Sequence, residues 1–172
     1  EIKVFEISKP GGFFEGKDFY LEAREMKHSI PCNAYNFVIK GGVKIDKSKL
    51  RKFKLPQGAH LKNLKLGKDI EFEGRNYKAN DLVFQNPGKK ISIVMDTLNN
   101  PEIIDFVKRA DLFICESTFS HELIEQAKER NHMTAKQAAE AAKRAGAKKL
   151  VLTHLSQRYE KNPHVILKEA KK

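Results

Sequence analysis

Lys148 to Tyr159, KKLVLTHLSQRY, joins a short apolar run, a metal-ligand residue type and a basic tail. Leu150-Val151-Leu152 is too short for a helix of its own and branched enough for a buried strand, which would deliver Thr153 and His154 at its carboxyl end. That end of a strand is where α/β folds carry chemistry. The same pattern recurs upstream. Ile91-Ser92-Ile93-Val94-Met95 runs into Asp96 and Thr97, and Asp111-Leu112-Phe113-Ile114-Cys115 runs into Glu116-Ser117-Thr118. Three apolar strands therefore each end on an acidic or imidazole side chain.

Working outward, Pro101 fits the first turn of a helix over 102–109, and 121–130 reads as an amphipathic helix. Another helix runs from Ala135 to Ala145, with Thr134 as its cap and Gly146 as its stop. His132 falls in the loop before that helix. Strand and helix alternate from Ile91 onward, which predicts an α/β layered domain. Nearer the amino terminus, charged and apolar residues alternate over 1–7 and again over 19–25, predicting half-buried strands with a turn at Pro10-Gly11-Gly12. A further strand is expected over 34–39, leaving His28 in the loop before it. A hairpin is expected over 69–77, turning near Gly74. The strand-like opening and the helical VILKEAKK at the other end read as cuts in something longer.

The chain has 172 residues and 33 Lys or Arg against 22 Asp or Glu, a net charge of +11. Such a balance favours a polyanionic partner such as nucleic acid. Most of the excess lies in GGVKIDKSKLRKFKLPQGAHLKNLKLGK and the Lys40 before it, where ten basic residues meet one acid, Asp46. Gly41-Gly42, Pro56 and Gly58 punctuate this stretch, and Asp46 or Ser48 would cap a short helix over 49–54. A cationic, hinged projection of this kind suits the holding of phosphates away from a reacting centre. No run approaches a membrane span and no signal segment opens the chain, so a cytoplasmic location is expected. Cys32 and Cys115 sit singly among apolar residues, as reduced core thiols do.

His28, Asp96, His132 and His154 share one kind of location, a strand end or a helix beginning. Imidazole plus carboxylate without a thiolate pair suits zinc or manganese in a hydrolytic site. Two such ions would need more ligands than these residues supply.

Six stretches in order, KHSIPCNAYNF, GGVKID with LPQG, IVMDT, CESTF, NHMTAKQAA and LVLTHLSQRY, make the chain resemble the carboxyl-terminal half of the ribonuclease Z family. These are tRNA 3′-end endonucleases. The resemblance implies the carboxyl-terminal half of a metallo-β-lactamase αββα sandwich over 1–172, a mixed sheet with helices on one face, and a flexible basic tRNA-binding arm at 40–68. It implies that His28, Asp96 and His154 ligate two zinc ions, with Asp96 bridging, and that His132 assists the leaving oxygen while Glu116 orients it. Lys44, Lys47, Lys49, Arg51, Lys52, Lys54, Lys62 and Lys65 would grip precursor tRNA. Three departures stand out. The family's His-x-His-x-Asp-His signature is absent, Cys115 stands where relatives carry His, and Gln57 and Ala59 flank Gly58 where relatives have a Gly-Pro stretch. The implied partner is therefore a missing amino-terminal half or a second subunit of a homodimer, without which this chain is expected to be inactive. Two other readings are a non-catalytic tRNA-binding half-domain and a small-molecule phosphodiesterase of the same fold.

Overall fold

The structure is a computed structural model; it describes all residues except Glu1, Ile2, Lys3, Phe5, Ser8 and Lys172. In chain order its elements are β1 (Gly11–Glu15), β2 (Phe19–Met26), β3 (Cys32–Ile39), β4 (Gly42–Ile45), α1 (Lys47–Lys52), α2 (Lys62–Lys65), β5 (Ile70–Phe72) and β6 (Arg75–Tyr77). They continue with α3 (Ala79–Leu82), β7 (Val83–Asn86), β8 (Lys89–Val94), α4 (Glu102–Phe106), β9 (Leu112–Glu116), α5 (Ile124–Glu129), α6 (Ala135–Ala145), β10 (Leu150–Thr153) and α7 (His164–Ala170). The chain divides into two compact units, one of residues 1–39 with 89–172 and one of residues 40–88.

The first unit is a six-stranded mixed sheet in the order β1-β2-β3-β8-β9-β10. β8, β9 and β10 run parallel, and the other pairings are antiparallel. Parallel neighbours need covered crossovers, and α4 and α6 supply them. Val94, Phe113 and Cys115 on the sheet bury against Ile103, Phe106 and Val107 and against Ala138, Ala141, Ala142 and Ala145 of α6. Alanines every three or four residues let this helix lie close to the strands. Its ends follow the sequence: Thr134 and Gln137 form a reciprocal capping box, and Gly146 closes the helix at φ 66°. In the same layer Ser92 donates to Asn36 Oδ1 at 2.6 Å while Asn36 Nδ2 donates to Phe106 O at 3.0 Å, so a buried polar pair is satisfied.

The other face of the sheet is apolar and far less covered. The register sets Tyr35, Ile93, Ile114 and Val151 in one row and Phe37, Ile91 and Leu112 in the next. Tyr35 is 38% and Val151 45% exposed.

One expectation fails at the amino end. The predicted turn at Pro10-Gly11-Gly12 is not a turn, since Gly11–Glu15 is itself the strand that pairs with β2. The chain reverses after Glu15, where Gly16 N donates to Phe19 O at 2.8 Å and Phe14 stacks on Phe19. The Gly and Asp of Gly16-Lys17-Asp18 are the turn chemistry. Gly11, at φ 116°, fits in a strand because it has no side chain. Of the expected strand over 1–7, Glu1, Ile2, Lys3 and Phe5 lie outside the described residues; Val4, Glu6 and Ile7 are in no strand. The helix expected over 121–130 is split, a 3₁₀ turn at His121–Leu123 preceding α5.

The second unit has its own core of Leu50, Leu55, Leu61, Leu64, Ile70, Ala79 and Leu82. Asp46 caps α1, accepting from Ser48 N and Lys49 N. β5 and β6 form the expected hairpin, with Glu73 at φ 51° and Gly74 at φ 71° as a primed turn. β4 pairs antiparallel with β7, and at Gly41 a Cβ would lie 2.7 Å from Asn86 O, so only glycine fits there. The basic stretch 40–68 therefore folds together with the twenty residues after it.

Candidate metal centre

At the carboxyl ends of β8 and β10 the backbone turns sharply. Asp96 has φ 39° and His154 φ 54°, a left-handed conformation that costs a non-glycine residue energy and recurs where side chains are held for function. Both side chains are thereby brought together, with Asp96 Oδ1 3.2 Å from His154 Nδ1. His132, from the loop before α6, comes within 4.0 Å of the same carboxylate oxygen. One ligand atom from each of Asp96, His132 and His154 lies within 4.8 Å of the others, a group that could hold a metal ion. His28, from the loop between β2 and β3, stands at its edge, its ring 5.1 Å from that of His132, whose ring is 5.3 Å from that of His154.

The partners of these rings decide which nitrogen is free. His28 Nδ1 is 3.1 Å from Asn131 O and His132 Nδ1 is 2.9 Å from Glu116 Oε1. Each acceptor fixes the proton on Nδ1 and leaves the Nε2 lone pair for a ligand. His154 Nδ1 is 3.0 Å from Thr118 Oγ1, whose own proton goes to Glu116 Oε2 at 2.7 Å, so the hydroxyl accepts from the ring and Nε2 is again freed. Asp96 Oδ1 is buried and has no hydrogen-bond partner. A buried carboxylate oxygen left without a donor is costly, and a cation is the group this donor set lacks. The residues present fit a metal.

Glu116 is fully buried and is the hub behind the histidines. Oε1 accepts from Thr97 N at 2.7 Å and from His132; Oε2 accepts from Met133 N at 3.1 Å, from Thr118 Oγ1 and, at 3.4 Å, from Thr118 N. It ties the ends of β8 and β9 to the loop carrying His132. Sequence reasoning did not single out Thr118 or Asn131. The signal for Thr118 was its place two residues after Glu116, on the same side of an extended chain; Asn131 acts through its carbonyl, which no residue identity reports. Burial pushes the Cys32 and Cys115 thiols up, aided at Cys32 by Asp96 and at both by Glu116, so both stay protonated and neither adds a thiolate.

The residues expected to bind nucleic acid all lie in the 40–88 unit. It carries twelve Lys or Arg and five Asp or Glu, an excess of seven out of the chain's eleven. No helix among the described residues is long and apolar enough to cross a membrane.

No family model matches the chain. Ribonuclease Z of Clostridium novyi is 37% identical over 153 residues, which are 87% of this chain and 49% of that protein. Ribonuclease Z of Bacillus cereus strain G9842 is 35% identical over 99% of this chain and 57% of its own length. Among solved structures, human tRNase Z, short form, aligns with TM-score 0.55 and 26% identity over 87% of this chain and 41% of its own. The metallo-β-lactamase fold protein YhfI of Bacillus subtilis, at TM-score 0.58 and 20% identity over 97% of this chain and 47% of its own, speaks to the fold alone. The expected resemblance holds: the chain is similar to ribonuclease Z and spans about half the length of the curated relatives it matches, with the mixed sheet and one-sided helices of part of a metallo-β-lactamase fold.

Proposed function

We propose that this relative of ribonuclease Z is the carboxyl-terminal half of a zinc-dependent endoribonuclease, working in the cytoplasm, that removes 3′ trailers from precursor tRNA. The observation that carries the reading is the orphaned, buried Asp96 Oδ1 among His132, His154 and His28. His28, Asp96 and His154 would hold the metal. When bound, the ions supply a hydroxide at neutral pH and stabilise charge on the phosphodiester oxygens. His132, held at Nδ1 by Glu116, sits beside the ligands with Nε2 free to take up a proton, and as the imidazolium would pass that proton from Nε2 to the leaving oxygen. Thr118 fixes His154 as Glu116 fixes His132. The basic 40–88 unit holds the tRNA body by its phosphates.

The chain contains no His-x-His-x-Asp-His sequence, so a second set of ligands has to come from elsewhere. The partly exposed apolar rows Tyr35, Ile93, Ile114, Val151 and Phe37, Ile91, Leu112 are a surface that a second sheet would cover, and the curated relatives are about twice as long as this chain. The missing amino-terminal half, in the same polypeptide or as a separate subunit, is the natural source of both.

The test measures zinc content and cleavage of a 3′-extended precursor tRNA for the chain alone and joined to an amino-terminal half carrying the histidine signature. Zinc at two ions per site and cleavage after the discriminator nucleotide are expected only in the joined form, and Asp96→Ala should abolish both. Cleavage by the chain alone, or full zinc content in Asp96→Ala, would refute the assignment. Tight tRNA binding with no zinc and no cleavage in either form would point instead to a non-catalytic tRNA-binding half-domain.

A further inference from the structure

Within the 40–88 unit, Leu50 and Leu55 are each 4% exposed, and Leu55 N donates to Leu50 O at 2.9 Å, closing the chain around the end of α1. Lys54 makes that reversal at φ 54°. Residues 51–54 between the two anchors are all exposed, and Phe53, at 43%, is the apolar one among them. It meets Tyr77 edge to face, centroids 6.3 Å apart at 89°, and Tyr77 in turn packs against the unit's core. Phe53 is thus an exposed ring propped from beneath. Arg51, Lys52 and Lys54 flank it in sequence, all exposed, and the cleft it shares with Tyr77 is lined also by Arg75, Asn76, Lys78 and Asp81.

An exposed aromatic ring on a neutral surface invites an apolar partner. One with three cations beside it in sequence, and two more against one carboxylate in its cleft, invites a partner that carries flat faces and phosphates together, and that is single-stranded or looped nucleic acid. We propose that Phe53, supported by Tyr77, stacks an unpaired nucleobase of the bound RNA, so that the basic unit grips a base as well as phosphates. The inference rests on the reading of this unit as the RNA-holding part. Another aromatic pair of the unit, His60 and Phe72, lies nearly parallel at 4.5 Å, with His60 Nε2 3.0 Å from Pro56 O; it is spent on fixing its own loop.

The chain contains no Trp, so Phe53→Trp introduces a single indole whose emission reports directly on stacking. Binding of precursor tRNA is measured for the 172-residue chain, Phe53→Leu and Phe53→Trp across a range of salt concentrations, with a fully paired RNA duplex and phosphatidylglycerol vesicles as comparison ligands. Phe53→Leu keeps an apolar side chain of similar size at an exposed site and should weaken tRNA binding about tenfold, with the slope of log affinity against log salt unchanged, because no phosphate contact is lost. Phe53→Trp should bind within a few-fold of the parent, and its emission should be quenched by tRNA and not by the duplex. Equal affinity for Phe53→Leu and parent, or indole emission unmoved at saturating tRNA, overturns stacking and leaves the RNA reading intact. Quenching by the duplex as strong as by tRNA also overturns it. Failure of the parent chain to bind any RNA, with binding to the vesicles, overturns the stacking proposal and the RNA reading alike.

Discussion

At the scale of single residues, Glu116 shows how a buried polar group is accommodated: every donor around it is satisfied by it, and it is satisfied by them. Glu116→Gln keeps the shape and replaces an acceptor oxygen with an NH₂ that faces donors. We expect a loss of about 1–3 kcal/mol in unfolding free energy, measured by urea titration, together with loss of the fixed His132 tautomer, read from its imidazole ¹⁵N shifts. An unchanged midpoint would mean that the network is not as tight as its distances. Asp111 is the opposite case, a carboxylate near the surface held by Lys148 Nζ at 2.8 Å, Lys90 N at 2.9 Å and Lys89 Nζ at 3.3 Å. Those donors, Lys148 first, draw its pKa from 3.8 to about 2. A carboxylate lowered in the folded state stabilises the fold above its unfolded value and ceases to do so as pH falls through the folded one. Asp111→Asn should therefore be less stable than the parent at pH 7, and the gap should close between pH 3.8 and about 2; a gap that persists at the lowest pH would deny the linkage. Residue types at strand ends and helix beginnings were legible from sequence alone, and the structure draws three of them, Asp96, His132 and His154, into one group with His28 at its edge. What sequence could not give was which way the Thr118 hydroxyl proton points, and hence its part in fixing His154, or the orphaned state of Asp96 Oδ1, which is a property of burial.

At the scale of elements, α6 carries more than its own residues. Its cap, Thr134, follows His132 by two positions, and Ala135 N donates to Phe119 O, so the helix start is stitched to the chain just beyond β9. Thr134→Ala removes the hydroxyl that accepts from Gln137 N, leaving the backbone N–H at 134 to donate to Gln137 Oε1, and should cost about 1 kcal/mol, seen as a lowered thermal midpoint. Zinc affinity of the joined form should fall as well, because the loop holding His132 loses its anchor; a stability loss with zinc affinity intact would make the cap purely structural. The ends of this helix were readable because Thr, Gln and Gly act locally. The first hairpin was misread for a complementary reason. Two glycines are turn signals in isolation, but the pairing partner of β2 was decided by Phe13 and Phe14, which pack on Tyr35 and Phe19. Aromatic contacts across strands outweigh local breakers, and they are not local information.

At the scale of the whole molecule, charge is partitioned between two units of different character. Replacing Lys49, Arg51, Lys52 and Lys54 by Gln should weaken tRNA binding and flatten its salt dependence by up to about four counterions' worth of slope, while hydrolysis of a small phosphodiester by the joined form is spared. Equal loss on both substrates would argue that the basic unit is not separable from the reacting centre. Composition located the basic stretch but stopped it at Lys68, because the charge excess stops there; the folded unit runs to Gly88, where its apolar residues find their last partners in α3 and β7. Ile39 and Lys89, the residues on either side of that unit, are direct register partners in β3 and β8. The chain departs from one strand and rejoins the next at the same rung. Forty-nine residues can thus be exchanged for a tight reverse turn without moving either strand by a single position, which makes this part of the molecule a portable cassette: a lineage could shed it, enlarge it or acquire another, and the six-stranded sheet would keep its alignment throughout.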